Sequence, residues 1–125
     1  MGLTILMIDD DLEDQDLFAE TLHSIDSSIQ CLSAVNGERA LTLLRSLSIH
    51  PDYIFLDLNM PIMNGFEFLK EVRKLKQFST PIYIYTTSSE KKHNDESIML
   101  GASKFITKPS SQSELREILE RVFSI

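Results

Sequence analysis

The chain has 125 residues, 19 acidic against 12 basic side chains, and a single cysteine. This length suits one domain, spanning residues 1–125, that buries roughly two thirds of its unfolded surface without a structural metal, and the lone Cys31 excludes a disulfide framework. Residues 1–38 hold nine acids and no Lys or Arg, for a net charge of −9, while the remainder sums to +2, so neither a nucleic-acid binder acting alone nor attraction to an anionic membrane is expected. No apolar run approaches the ~18 residues of a membrane span, and LTILMI lacks the basic leader and cleavage site of a signal peptide. A cytoplasmic protein is expected, with Cys31 a small apolar core residue of a reducing compartment.

Along the chain, short apolar runs alternate with helix-length amphipathic stretches. LTILMI at 3–8 predicts the first strand, and Leu17, Phe18, Thr21, Leu22 and Ile25 form the first helical stripe. IQCLSAV at 29–35 follows, then a stripe of Ala40, Leu41, Leu44 and Leu47. DYIFLDL at 52–58 is the third strand, and Phe66, Leu69, Val72 and Leu75 the third helix, opened by the capping-box spacing of Asn64 and Glu67. PIYIYT at 81–86 precedes the weakest helix, SEKKHNDESIML at 89–100, which is apolar only at its end before Gly101 and is expected to be the most mobile. SKFIT at 103–107 is the fifth strand, and Leu115, Ile118, Leu119 and Val122 mark the last helix, again with capping-box spacing at Ser111 and Glu114.

Runs that are apolar almost throughout suit parallel strands covered on both faces. Five β–α units in alternation therefore predict an α/β fold, a doubly wound five-stranded parallel sheet with five helices, whose ligand site lies at the carboxyl ends of the strands. Those ends carry Asp9, Asp10 and Asp11 after the first strand, Asp57 at the third, Thr86, Thr87 and Ser88 at the fourth, and Lys108 before Pro109 at the fifth. The second offers only Asn36 and Gly37.

Carboxylates brought together repel unless protonated or bound to a cation, and a hard divalent ion with oxygen ligands, Mg²⁺ above all, is the economical partner. Asp9, Asp10 and Asp57 with Mg²⁺ and Lys108 balance in charge. Conversion of Asp57 to an acyl phosphate adds about one negative charge, which the same cations can hold, with Thr86 as a hydrogen-bond donor. A carboxylate in the middle of an apolar central strand costs several kcal/mol unless paired, so Asp57 has no easy structural explanation.

Other residues have simpler readings beside the functional one. Asp11, Asp14 and Asp16 suit a helix N-terminus and a solvated face. Thr86 and Thr87 are not distinguished by pattern alone, Lys108 alone is compatible with a surface lysine, and Phe105 is most simply a core aromatic. Met60 to Met63 form an apolar loop, either packed or presented to a partner. His23, His50 and His93 lie away from the acid cluster and receive no chemistry. An EF-hand beginning at Asp9 fails because its sixth position is Asp14 where Gly is required and a strand precedes it.

Four motifs, LMIDDD, FLDLNMPIMNGFEFL, PIYIYTTSS and GASKFITKPS, together resemble in order and spacing the receiver domains of two-component response regulators, the CheY-like superfamily, over essentially the whole chain. The resemblance implies a flavodoxin-like three-layer sandwich in which Asp57 is the phosphoacceptor. It further implies that Asp9 and Asp10 hold Mg²⁺ directly or through water, that Asn59 offers its backbone carbonyl to the metal, and that Thr86 and Lys108 contact the phosphoryl group. Phe105 takes the aromatic switch position, Asn59 and Ser88 tune phosphoryl lifetime, and Lys108–Pro109 is expected to be a cis peptide.

By the same resemblance the donor is a phosphohistidine on a sensor histidine kinase or phosphotransfer protein. The response reaches a downstream protein target through the face of the fourth helix, fifth strand and fifth helix, where a dimer would also form. The domain then assists its own phosphorylation and dephosphorylation without turning over a small substrate, and with no residues to spare after the fifth helix no output domain is expected. Two rivals are weaker. A phosphatase of the haloacid dehalogenase type needs an acid two residues past its nucleophile, where this chain has Asn59, and a phosphorylation-independent binding module leaves the complete set of motif residues unexplained.

Overall fold

The computed structural model describes residues 2–46, 50–76 and 78–124. Strands and helices alternate strictly: β1 Thr4–Ile8, α1 Leu12–Ile25, β2 Gln30–Ala34, α2 Gly37–Ser46, β3 Tyr53–Leu56, α3 Gly65–Val72, β4 Ile82–Thr86, α4 Lys91–Met99, β5 Lys104–Thr107 and α5 Gln112–Phe123. All pairings are parallel, in the order β2-β1-β3-β4-β5. From β1 the chain builds one edge through β2, then crosses back to place β3 on the other side. The strand order therefore reverses between β1 and β3, and such a switch point opens a crevice at the carboxyl ends of those two strands.

Alternation of side chains along the strands divides the core into two layers. Leu6, Ile8, Ile54, Leu56 and Ile84 face α2 and α3 through Leu41, Leu44, Phe68, Leu69 and Val72. Ile5, Met7, Phe55, Tyr85 and Ile106 face α1 and α5 through Phe18, Leu22, Leu115 and Leu119. Phe18 and Phe55 meet with ring centroids 4.9 Å apart. Each such fully buried aromatic or aliphatic side chain contributes about 1.5–3 kcal/mol of transfer free energy. The central strands, covered on both faces, are the apolar runs of the sequence, while the edge strands expose Gln30 and Ser33 on β2 and Lys104 and Thr107 on β5.

The local signals act as their chemistry dictates, with some shifts of boundary. Asn64 forms both halves of its capping box with Glu67. Ser111 accepts from the Glu114 N–H at 3.2 Å, but the Glu114 carboxylate takes the Ser110 hydroxyl instead of completing the box. Gly101, at φ 104°, ends α4 in the left-handed region, and a Cβ there would collide with the Arg73 guanidinium. α3 stops at Val72 because Lys74 and Leu75 turn back onto Glu71 and Val72 in three-residue steps, although Leu75 still packs on the core. α4 begins at Lys91, two residues later than its pattern suggests. β3 ends at Leu56, so Asp57 stands just past the strand, its N–H still donating to the Ile8 carbonyl at 2.9 Å. Leu47, the last residue of the second predicted stripe, lies outside the described residues.

Candidate functional site

The crevice between β1 and β3 gathers the charged residues that the strand-end rule singles out. Asp9 continues β1 by donating its N–H to the Ala34 carbonyl at 3.0 Å, and its side chain is fully buried. Its Oδ1 accepts from the Asp11 N–H at 3.0 Å and its Oδ2 from Lys108 Nζ at 2.7 Å. Asp11 caps α1, accepting from the N–H groups of Glu13 and Asp14. That turn aims Asp9 into the sheet edge and leaves Asp10 exposed at the rim. Asp57 is buried, with Oδ1 accepting from the Leu58 N–H at 2.8 Å and Oδ2 lying 3.6 Å from Lys108 Nζ. One carboxylate oxygen each from Asp9, Asp10 and Asp57 lies within 4.8 Å of the others.

Lys108 is held from both ends. Its N–H donates to the Thr86 carbonyl at 2.6 Å, and its ammonium sits 5.6 Å from the centroid of the Tyr85 ring. The ammonium also donates to Asp14 Oδ2 at 2.6 Å. Asp14 is therefore part of the site and not only of a solvated face. Three carboxylates, Asp9, Asp14 and Asp57, lie within 3.6 Å of this one ammonium, and Asp10 joins Asp9 and Asp57 in the cluster, leaving an excess of negative charge.

Burial pushes the Asp9 carboxyl up to about 6, against the opposing hydrogen bonds from Lys108 and Asp11, and the charge on Asp57 adds to the rise. For Lys108, burial pulls the pKa down. Its hydrogen bonds to Asp14 and Asp9, with the charges on Asp57 and Asp9, outweigh that effect and the net shift is upward. The all-oxygen donor set with surplus negative charge fits a hard divalent cation.

The remaining expected residues fall around this cluster. Thr86 ends β4 fully buried, and its Oγ1 has no hydrogen-bond partner among the described residues. Asn59 is exposed two residues past Asp57. Phe105 is partly buried on β5 against the α2–α3 side of the core. The apolar loop is split: Met60 is buried, Met63 packs on the core, and Ile62 is 74% exposed. The Lys108–Pro109 peptide is trans, contrary to the expected cis form. Trans keeps a preference of about 0.5–1 kcal/mol before proline, and with it the Lys108 side chain already reaches Asp9 and Asp14.

Two further residues shape the site. Gln15 is buried in α1 and donates from Nε2 to the carbonyls of Asp9 at 2.9 Å and Ala34 at 3.0 Å, tying the ends of β1 and β2 to the helix. Its spacing with Phe18 and Leu22 puts it on the buried stripe, a signal present in the sequence. Gly65 is required by close approach, since a Cβ there would stand 2.5 Å from the Asp57 carbonyl oxygen and 2.9 Å from Leu58 Cα.

Comparison with known proteins agrees with this arrangement. The response regulator receiver domain model matches residues 5–120. The protein-glutamate methylesterase/protein-glutamine glutaminase of Clostridium acetobutylicum is 36% identical over 93% of this chain and 33% of its own length. The sensor histidine kinase CheAY of Helicobacter pylori is 32% identical over 94% of this chain and 14% of its own length. The chain thus spans a third or less of these two relatives. Among solved structures, the chemotaxis response regulator CheY4 of Vibrio cholerae superposes with a TM-score of 0.83 at 32% identity, covering 98% of this chain and 99% of that one. The phosphorylated cyanobacterial phytochrome response regulator RcpA gives 0.88 at 26% identity, covering 98% and 91%. No described helix is long and apolar enough to cross a membrane. With five parallel strands in the order 2-1-3-4-5 and an aspartate cluster at their switch point, the chain belongs to the response regulator receiver domains, the CheY-like signalling family of two-component systems.

Proposed function

We propose that Asp57 accepts a phosphoryl group from a phosphohistidine on a sensor histidine kinase or histidine phosphotransfer protein. Mg²⁺ would be held by Asp9, Asp10, Asp57 and the backbone carbonyl of Asn59, and when bound it offsets charge on the phosphoryl oxygens. The observation that carries this reading is the meeting of Asp9, Asp10 and Asp57 with Lys108 at the switch-point edge.

Asp57 Oδ1 is engaged by the Leu58 N–H, so Oδ2 is the oxygen free to attack phosphorus. The new P–O bond forms as the P–N bond breaks, its electron pair leaving with the donor imidazole, which takes up a proton. Lys108, poised 3.6 Å from Oδ2, supplies positive charge to the transferring group. A buried hydroxyl without a partner costs about 1–3 kcal/mol, and a phosphoryl oxygen on Asp57 would give Thr86 Oγ1 the acceptor it lacks among the described residues. Movement of Thr86 frees space toward which Phe105 turns. The resulting change at the α4–β5–α5 face is read by a protein target in the cytoplasm, or supports pairing of two copies, with no direct nucleic-acid contact. The domain acts as a phosphoacceptor that assists its own chemistry and turns over no small substrate.

Incubation with Mg²⁺ and acetyl phosphate followed by intact mass tests this. Wild type should gain one phosphoryl group and Asp57→Ala none; no adduct on wild type, or an adduct that survives in Asp57→Ala, contradicts the reading. In a metal titration Asp10→Asn should bind Mg²⁺ measurably more weakly, and unchanged affinity would remove Asp10 from the metal site.

A further inference from the structure

α4 has few of the features that usually hold a helix in place. Its N-cap residue Glu90 makes no side-chain capping bond, and its first turn carries Lys91 and Lys92 and no acid, so the helix dipole is opposed. Of its residues only Ser97 is buried, and Ile98 and Met99 are exposed. Its N-terminal end is instead tied to the loop from β4. Ser88 Oγ lies 2.7 Å from His93 Nδ1, one turn into the helix, and accepts from the Glu90 N–H at 3.2 Å.

The same serine is anchored to the sheet, because its carbonyl accepts from Thr107 Oγ1 on β5 at 3.0 Å. The His93 ring rests against Phe66 of α3, with centroids 5.9 Å apart, and its Nε2 faces Glu90 Oε2 at 3.9 Å. The Ser88 hydroxyl, with one proton and two lone pairs, accepts from the Glu90 N–H and still pairs with Nδ1 in either tautomer of the ring.

Ser88 stands two residues past Thr86, whose buried hydroxyl lacks a partner among the described residues. We propose that His93 is a positioning residue that makes α4 and residues 86–88 move as one body. Displacement of Thr86 toward a phosphoryl group on Asp57 then reaches α4 through the Ser88–His93 hydrogen bond, and the same bond holds the loop in the arrangement that sets how long the phosphoryl group persists. The coupling rests on the phosphoryl-accepting reading of Asp57; the tie itself is present without phosphorylation.

Two measurements on the full chain separate these parts, using Ser88→Ala, His93→Ala, their double variant, and His93→Asn, whose amide places a polar atom near the position of Nδ1. In unphosphorylated protein, amide hydrogen exchange of α4 should rise about fivefold in each single alanine variant, as expected for loss of one hydrogen bond. It should rise no further in the double variant and return toward wild type in His93→Asn. Additive effects, or exchange unchanged in the singles, overturn the tie.

After phosphodonor removal, the rate of phosphoryl loss followed by intact mass should change by one common factor in Ser88→Ala, His93→Ala and the double variant. Independent, multiplying factors overturn the coupling while leaving the acceptor role of Asp57 intact. Absence of any adduct on Asp57 refutes the acceptor role and the coupling together, and the exchange measurement still decides the tie.

Discussion

Asp9 and Asp57 follow strands whose last three residues are buried on both faces of the sheet, and each is fixed by its own backbone hydrogen bond to the neighbouring strand. α4, at the same edge of the molecule, buries only Ser97 and is held at its start by a serine–histidine contact. The carboxylates are therefore preorganised by a core that does not yield, as an electrostatic site requires. The helix, in contrast, rests on contacts worth about 1 kcal/mol each, so an event at the site worth a few kcal/mol can reposition it. Rigidity is concentrated where charge must be placed, and weakness in the helix beside it.

The contrast is broken most severely in the core. Phe55→Ala, at a fully buried ring packed on Phe18, should cost about 3–5 kcal/mol in urea unfolding, whereas Met99→Ala on α4 should stay within about 0.5 kcal/mol. Equal losses would show that α4 is packed as firmly as the sheet.

The next effect is electrostatic. The Asp9 carboxyl sits at about 6 in the folded state because burial disfavours its charge, against 3.8 when unperturbed. Its folded pKa is raised, so its contribution to stability is full below pH 3.8 and is lost as pH rises through 6. Between pH 7.5 and 5, metal-free wild type should gain on the order of 1–3 kcal/mol relative to Asp9→Asn. A difference in unfolding midpoint that does not change with pH would show that Asp9 is not strained by burial.

Smaller still is the capping contrast. Asn64→Ala removes the side-chain half of the α3 capping box, the bond accepted from the Glu67 N–H, and should cost about 1 kcal/mol, while Glu90→Ala removes no capping bond and should cost about zero. A comparable loss at Glu90 would mean that α4 has a cap stronger than its geometry suggests.

Much of this architecture was legible in the sequence because a parallel sheet puts every strand's carboxyl end on one edge, so locating five apolar runs brings Asp9, Asp10, Asp57, Thr86 and Lys108 together without knowledge of side-chain packing. What escaped depends on reach and junction geometry. Asp14 joins the site only because the Lys108 side chain crosses to the first turn of α1, and local pattern does not encode that crossing. The Lys108–Pro109 isomer turns on a free-energy difference too small for sequence to announce. His93 lies away from the acid cluster in sequence pattern and so receives no chemistry there, and its contact with Ser88 depends on how the loop after β4 enters α4, which local pattern does not encode. Gln15 was readable from the helical stripe, but a glutamine on a buried face announces a hydrogen bond without naming its partners.

The central claim is that Asp57, within a metal-holding cluster, is the group that takes the phosphoryl. Borohydride reduction after exposure to acetyl phosphate converts an acyl phosphate to an alcohol, and peptide mass mapping then locates it. The account predicts reduction at position 57 alone, dependent on Mg²⁺ and lost on chelation. Modification elsewhere, for instance at Ser88 or His93, or labelling of Asp57 that is indifferent to the metal, would contradict it.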